Sequence, residues 1–379
     1  MTDSLPIRFF RYSTRRPIHS GDADWREPLP ENRRSGASDA SGAGVSLGEY
    51  FDAVADFLNG SGRAAFRSGI AAVSGVSADS PGIGDAIREV DVILEKHGAF
   101  YHPARIRIRL SDRFLSLALN VAVSDIGRRT VAGEFENLRR LGVRRDFSAL
   151  PAVFGIGAGR GSAGEYPMFL GEWLEGFREF HLSRDEAGSL RIVVWGPDGE
   201  NRFLERSRSD GIYREVARIL ARHCDPRTGE QIFPWHHAAG DFVVRADDGE
   251  VAVRLVTVRR YAPLFAVPDD PGGLEGLFLF LANLGLRTRV DRLDGVGEIA
   301  LADVSVLSPT VAGMLAGLAD RGGPADEFRA HLRAKSPTQL AEAATALVNA
   351  WHPDAPETPM IREGLVEHVL AFWEAANSP

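Results

Sequence analysis

The segment PWHHAAGD, which ends at Asp241, carries the residue types in this chain that are best suited to chemistry. His236 and His237 are candidate general bases, because the imidazole pKa lies close to neutral pH. Asp241 offers carboxylate oxygens, which Mg²⁺ prefers as ligands. Each residue also has a structural interpretation, since histidines can cap backbone groups in a tight loop and aspartate often opens a strand after a turn. One metal ion shared by both histidines is disfavoured, because adjacent side chains on an extended chain point in opposite directions.

A run of alternating glycines, GIGAGRGSAG over residues 155–164, has the composition of a phosphate-binding loop. A dinucleotide-binding loop requires a helix directly after the glycines, so that the helix N-terminus meets the pyrophosphate. Here a strand-like run that begins at Tyr166 follows instead. The segment therefore predicts a loop that connects two strands of a hairpin, and not a dinucleotide site.

The first hundred residues change from polar to helical character. Residues 1–44 contain clusters of Gly, Ser, Pro and Asp, which predict an irregular lead-in. Ser46 then predicts the N-cap of a helix that ends at Gly60. The segment DAIREVDVILEKHG predicts a second helix, because its apolar residues recur on one side.

Strands dominate the middle of the chain and helices the end. The segments FYHPARIRIRL and FLSLALNVAVS alternate apolar and polar residues, which predicts a β-hairpin. An amphipathic helix, TVAGEFENLRRLG, follows, and then two more strands. SDGIYREVARILARHC predicts a further helix, and the chain from Leu274 onward is mainly helical. The predicted fold class is therefore α+β.

Composition limits the classes of partner and compartment. The chain has 379 residues and a net charge of −8, with 44 basic and 52 acidic residues, which gives no reason to expect nucleic acid or an anionic membrane as a partner. The single cysteine, Cys224, excludes an intrachain disulfide and fits a reducing compartment. The N-terminus has no apolar run of signal-peptide length, and the stretch 274–286 is too short to span a bilayer. A cytoplasmic protein is the expectation.

Three motifs appear in the same order as the elements above. In GEFENLRRL, an acidic residue starts a Glu-x-x-x-Leu-x-x-Leu pattern formed by Glu134, Leu138 and Leu141. MFLGEWLEGFREF is an apolar strand that runs into a polar stretch, and PWHHAAGDFVVRADDGEVAVRLVTV is a loop followed by a hairpin. This order resembles the protein-kinase-like fold, and more closely its aminoglycoside phosphotransferase branch, over about half the chain.

The resemblance implies a site for ATP and Mg²⁺ in a cleft between two lobes. It implies that Glu172 and Trp173, at the hinge, supply backbone contacts to an adenine, and that Glu134 pairs with a phosphate-holding lysine. Asn120 is the polar residue nearest to that lysine's position, because the strand LSLALNVAVS contains no lysine. Lysine occurs only at residues 96 and 335 of the chain, so no realignment restores it.

The catalytic positions that the resemblance implies are also altered. His236 lies where the family has its base aspartate, and Asp241 lies where the family has a metal-binding asparagine. Thr257 lies where the family has its second metal-binding aspartate, and a hydroxyl is a poor substitute for a carboxylate. Ordinary phosphoryl transfer needs a cation on the phosphates, a base and two metal ligands. The altered positions therefore predict a protein that does not carry out ordinary kinase chemistry.

Together these observations predict a two-lobed kinase-like fold in three parts. They are an irregular and helical extension over 1–98, a small β-rich N-lobe over 99–176 and a mainly helical C-lobe over 177–379. The predicted function is that of a degenerate kinase-like protein, which binds a nucleotide or small ligand between its lobes. Two alternatives stay open: an active transferase on a small molecule or peptide that uses His236 or His237 with Asp241, and an interaction scaffold that binds a protein partner and no ligand.

Overall fold

The chain has an α+β architecture, which confirms the predicted fold class. The computed structural model describes residues 4–12, 16–29, 45–75, 86–142, 149–196, 199–236, 240–246, 251–264, 273–352 and 354–378. The chain divides into two compact units, of which the first comprises residues 1–145 and 151–175 and the second comprises residues 146–150 and 176–379. The described residues form a mixed six-stranded sheet, four smaller sheets and ten α-helices.

The first unit is built on the six-stranded sheet, whose strand order is β1-β2-β3-β4-β6-β5. Its strands are β1 (Ile7–Arg11), β2 (Glu89–Leu94), β3 (His102–Arg109), β4 (Phe114–Val121), β5 (Val153–Arg160) and β6 (Glu165–Glu172). Its helices are α1 (Leu47–Asn59), α2 (Arg63–Ser74) and α3 (Asp125–Leu141), with a short 3₁₀ turn at Ala23–Arg26. Strands β1 and β2 are parallel and the other pairs are antiparallel. The predicted β3–β4 hairpin and the amphipathic helix after it are confirmed.

Helix α1 begins and ends where its capping residues predict. The Ser46 hydroxyl accepts a hydrogen bond from the Glu49 backbone N–H at 3.1 Å, and Gly60 ends the helix. The Glu49 carboxylate points elsewhere: it accepts hydrogen bonds at 2.7 Å from the backbone N–H groups of Ser162 and Ala163. Burial raises the pKa of Glu49, but the hydrogen bonds from Ser162 and Ala163 outweigh it and lower the pKa overall. Glu49 thus fastens α1 to the turn between β5 and β6.

The alternating glycines belong to strand β5, so the prediction of a loop over residues 155–164 is wrong for most of that segment. Gly155, Gly157 and Gly159 recur at the two-residue period of a strand and face α1 and α2. A Cβ atom on Gly159 would lie 1.8 Å from the backbone oxygen of Ala53. The glycines are therefore required for the close approach of the helices to the sheet.

The first sheet also contains two strands that the sequence did not predict. The segment predicted as a second helix forms β2, and part of the predicted irregular lead-in forms β1. Val90 is buried in the core on one face of the sheet, while Asp91 lies on the other face. The Asp91 carboxylate accepts hydrogen bonds from Arg8 Nε at 2.8 Å and Arg107 Nη2 at 2.6 Å. The alternation of apolar and polar residues in EVDVIL is therefore that of a strand.

The second unit combines small sheets with most of the helices. Its strands are β7 (Phe180–Arg184), β8 (Leu190–Val194), β9 (Arg202–Phe203), β10 (Glu230–Ile232), β11 (Phe242–Arg245), β12 (Ala252–Leu255), β13 (Tyr261–Pro263), β14 (Val290–Arg292) and β15 (Ile299–Leu301). Its helices are α4 (Arg206–Arg222), α5 (Leu274–Thr288), α6 (Leu307–Asp320), α7 (Ala325–Arg333), α8 (Pro337–Ala350), α9 (Thr358–Glu363) and α10 (Leu365–Asn377), with 3₁₀ turns at Leu293–Gly295 and Val304–Val306.

The helical character predicted from Leu274 onward is confirmed, although α5 ends at Thr288 and strand β14 follows it. Helices α4 and α6 approach each other closely at Gly313, where a Cβ atom would lie 2.0 Å from the backbone oxygen of Arg214 on α4. Within the described ranges, every helix is too short or too polar to cross a bilayer.

Candidate functional site

The candidate site of the second unit lies at the turn before strand β11. The Phe233–Pro234 peptide bond is cis, and Trp235 is buried with its ring edge-on to Phe242 at 6.3 Å between centroids. The backbone N–H of His236 donates a hydrogen bond of 2.8 Å to Asp241 Oδ2. The sequence-predicted pair His236 and Asp241 is therefore brought together. His237 lies outside the described residues.

Asp241 is held by an arginine that the sequence analysis missed. Arg259 Nη1 donates to Asp241 Oδ2 at 2.9 Å and Arg259 Nη2 donates to Asp241 Oδ1 at 2.5 Å. This arrangement is bidentate, the strongest geometry for an arginine–carboxylate pair. The Asp241 side chain is only 6% exposed and that of Arg259 only 18%. Both carboxylate oxygens of Asp241 thus accept hydrogen bonds from groups of the protein.

The hairpin of β11 and β12 positions this ion pair. Asp241 directly precedes β11, and its backbone oxygen accepts a hydrogen bond of 2.8 Å from the N–H of Val256, just after β12. Strand pairing of Phe242 with Leu255 sets the register. Arg259 lies four residues after the end of β12, so the hairpin brings its guanidinium next to the Asp241 carboxylate. Thr257, which lies between the end of β12 and Arg259 in the sequence, is buried.

His236 is part of a second group of buried polar side chains. Burial lowers the pKa of His236, while the negative charges of Asp291 and Asp241 act in the opposite direction. Asp291 itself lies 3.3 Å from Nδ1 of His181 and accepts a 2.7 Å hydrogen bond from the backbone N–H of Leu182. His236 is therefore a neutral imidazole at pH 7, in a neighbourhood that contains a histidine–aspartate pair.

Sequence reasoning missed three of these residues: Arg259, His181 and Asp291. Arg259 belongs to the run LVTVRRY, and nothing in that run distinguishes Arg259 from Arg260. His181 and Asp291 are more than a hundred residues apart and meet only in the fold. The local signal is slight: His181 stands between two apolar residues in the strand FHLSR, and Asp291 follows a valine in the three-residue strand VDR.

The other predicted site residues belong to the first unit. Glu134 on α3 is buried and accepts a hydrogen bond of 2.7 Å from the hydroxyl of Tyr101. Asn120 lies on β4 and pairs in register with Phe169 of β6. It is half-buried. The phenol of Tyr101 therefore contacts Glu134, for which the resemblance implied a lysine partner.

The segment that the resemblance assigns to a hinge follows strand β6. Glu172 ends β6, and its Oε2 accepts a hydrogen bond of 3.1 Å from the Ala152 backbone N–H. The Glu172 backbone N–H donates to the Ala152 oxygen at 2.8 Å, so this backbone donor is already engaged. The ring of Trp173 stacks with the Arg105 guanidinium at 5.0 Å. Adenine contacts by Glu172 and Trp173 stay a prediction.

Neither unit contains a preassembled metal centre within the part of the chain that the structure describes. No three or more histidine, cysteine, aspartate or glutamate side chains lie close enough together there to hold one ion. Asp241 as a Mg²⁺ ligand stays a prediction, and the ion would compete with the Arg259 guanidinium for the carboxylate oxygens.

Comparison with known proteins adds no assignment. No protein-family model matches the chain, and no curated protein matches it either.

Proposed function

We propose that the chain is a degenerate kinase-like protein, whose two units correspond to the two lobes of that fold. It binds a nucleotide or another small ligand and does not carry out ordinary Mg²⁺-dependent phosphoryl transfer. The observation that carries this proposal is the bidentate ion pair of Asp241 with Arg259, at the position where the resemblance implies a metal ligand.

The ion pair opposes metal binding for two physical reasons. First, the carboxylate has about four lone-pair sites, and hydrogen bonds from the protein already occupy three of them, so an incoming ion must compete for the carboxylate. Second, releasing Arg259 leaves a buried charge without its partner, which costs about 3–5 kcal/mol for a fully buried pair. The guanidinium also supplies a fixed positive charge where the metal would lie. Arg259 therefore replaces the cation electrostatically, although it cannot reproduce the octahedral coordination of Mg²⁺.

The first unit supports the same proposal. Ordinary phosphoryl transfer uses a lysine–glutamate ion pair to hold the phosphates. Here strand β4 carries no lysine, and the Tyr101 hydroxyl donates a hydrogen bond of 2.7 Å to Glu134. The lysine that the resemblance implies on this strand is therefore missing. The proposal thus draws on one observation in each unit.

An active transferase is the second candidate, and the state of His236 favours it. Because burial lowers its pKa below the ordinary value, the imidazole is deprotonated at pH 7, which is the form that a general base requires. In this alternative His236 would accept the proton of a substrate hydroxyl as its oxygen bonds to the γ-phosphorus of ATP and the bond to the departing ADP breaks; Asp241 would hold the Mg²⁺ that neutralises the phosphate charge.

Thermal unfolding with ATP distinguishes these candidates, because a ligand that binds only the native state raises the unfolding temperature. We expect ATP to raise it equally in EDTA and in Mg²⁺, with no release of phosphate. Phosphate release that disappears in His236→Ala would instead establish the transferase. If neither ATP nor any other nucleotide changes the unfolding temperature, nucleotide binding is refuted and the scaffold alternative gains support.

Matched arginine variants test the role of the ion pair. We expect Arg259→Gln to weaken ATP binding in EDTA, because the fixed cation is lost. Arg260→Gln, at the next residue and on an exposed side chain, removes the same charge and should leave ATP binding unchanged. Equal ATP affinities in the Arg259→Gln and Arg260→Gln variants would contradict the proposed role of Arg259.

A further inference from the structure

The second unit contains a half-buried arginine that contacts aromatic rings and forms no ion pair with any of the residues that the structure describes. Arg287, in the last turn of α5, has its guanidinium carbon 4.7 Å from the ring centroid of Phe233 and 4.3 Å from that of Trp351. Its Nε donates a hydrogen bond of 3.2 Å to Asn283 Oδ1. These contacts fix the position of the planar group and remove much of it from water.

No carboxylate of the described residues lies within ion-pair distance of Arg287. Two other arginines of the unit with little exposure differ in this respect: Arg259 pairs with Asp241 and Arg222 pairs with Asp320. Burial lowers the pKa of Arg287 to about 10, and the Glu357 charge acts in the opposite direction. Arg287 is nevertheless protonated at neutral pH, so it presents a positive charge that forms no ion pair with a carboxylate of the described residues.

Arg287 lies in the neighbourhood of the candidate site. The charge of Glu357 acts on the pKa of His236 as well as on that of Arg287. Phe233, which contacts Arg287, begins the turn that carries His236. Thr358, next to Glu357, has a buried hydroxyl with no hydrogen-bond partner among the described residues. Among the described residues, the Arg287 guanidinium has no ion-pair partner and the Thr358 hydroxyl has no hydrogen-bond partner, and both groups are donors that suit a bound anion.

We propose that Arg287 binds the oxyanion group of a small ligand, a carboxylate or a phosphate, beside the turn that carries His236. The guanidinium terminus presents parallel N–H donors that match the two oxygens of such a group. The aromatic rings exclude water and strengthen the attraction, because the local dielectric constant is lower than that of bulk solvent. This inference concerns a separate residue from the ion pair of Asp241, and it holds whether or not the chain binds ATP.

Titration with simple anions tests the proposal. Inorganic phosphate and acetate are added separately at millimolar concentration, with NaCl adjusted to hold ionic strength constant, and the unfolding temperature is measured. We expect at least one of the two anions to raise the unfolding temperature of the wild-type chain. The anion that does so shows whether the site prefers a phosphate or a carboxylate. No change with either anion overturns the proposal.

Variants locate the effect. We expect Arg287→Gln to raise the apparent Kd of the responding anion by about tenfold or more, which corresponds to about 1.4 kcal/mol. Arg260→Gln is the matched control and should leave that Kd unchanged. An equal response in Arg287→Gln and the wild type overturns the proposal. Should Arg287→Gln fail to fold, Arg287→Lys keeps the charge and loses the parallel donors; we then expect weaker binding, and unchanged binding overturns the proposal.

Discussion

The ion pair of Asp241 and Arg259 should make a large, measurable contribution to the stability of the second unit. Removing one partner of a buried pair costs about 3–5 kcal/mol, because the other charge stays buried without compensation. The Arg259 side chain is 18% exposed, which moderates the effect, and Asp241 is 6% exposed. We therefore expect Arg259→Gln to lower the free energy of unfolding by about 3 kcal/mol. Asp241→Asn keeps an oxygen acceptor for the His236 N–H, so we expect a smaller loss of about 2 kcal/mol.

A double-mutant cycle isolates the interaction from these single effects. In the double variant, Asp241→Asn with Arg259→Gln, neither charge is left buried alone. We expect a loss that is smaller than the sum of the two single losses by about 2 kcal/mol. Urea unfolding at pH 7 measures the four free energies, provided that the m-values agree. Arg260→Gln is the control for removal of a positive charge, and an exposed substitution of this kind changes stability by less than about 0.5 kcal/mol.

Two results would refute the reasoning about the ion pair. One is a coupling energy below about 0.5 kcal/mol, the range of an exposed pair. The other is an Arg259→Gln variant as stable as the Arg260→Gln control. In either case Asp241 would be free to bind a metal ion, and the argument against Mg²⁺ would lose its basis.

Three further predictions concern other parts of the fold. Glu49→Gln should lower the free energy of unfolding by about 2 kcal/mol at pH 7. Because the pKa of Glu49 is lowered in the folded state, the difference in stability between wild type and variant should shrink as the pH falls below about 4.5. Urea unfolding at several pH values measures this difference. Gly159→Ala should destabilise by about 2 kcal/mol or more, while Gly133→Ala, on an exposed face of α3 with open space around it, should stabilise by about 0.5–1 kcal/mol, both read by thermal unfolding. Burial, with Arg289 nearby, lowers the pKa of His368 to about 3, so stability should fall as the pH drops below about 6.5, by up to about 1.4 kcal/mol per unit, and His368→Asn should flatten that slope. Equal pH slopes for wild type and His368→Asn would contradict the last prediction.

Local signals predicted the elements that are governed by local physics. The capping residues Ser46 and Gly60 bound helix α1 as expected, because capping depends on groups only a few residues apart. The alternation of apolar residues predicted the β3–β4 hairpin for the same reason. Strand β2 was missed because its alternation covers only six residues, and because the partners that make Asp91 a sheet residue, Arg8 and Arg107, come from neighbouring strands.

The candidate site was predictable only in part. The motif PWHHAAGD predicted His236 and Asp241 as site residues, and a hydrogen bond joins them in the fold. The residue that decides the chemistry of Asp241 is Arg259, which is eighteen residues away in sequence. Sequence periodicity carries no information about which of two adjacent arginines returns to the carboxylate. The electrostatic character of the site therefore emerges only with the tertiary structure.

The most direct test of the central claim is the affinity for ATP, measured by calorimetry in EDTA and again in excess Mg²⁺. If Arg259 replaces the metal cation at Asp241, the two dissociation constants should agree within about threefold, or about 0.7 kcal/mol. A dissociation constant that is lower by more than about tenfold in Mg²⁺, together with loss of that difference in Asp241→Ala, would contradict the claim. That result would mean that Asp241 binds the metal ion and that its pairing with Arg259 opens when the nucleotide arrives.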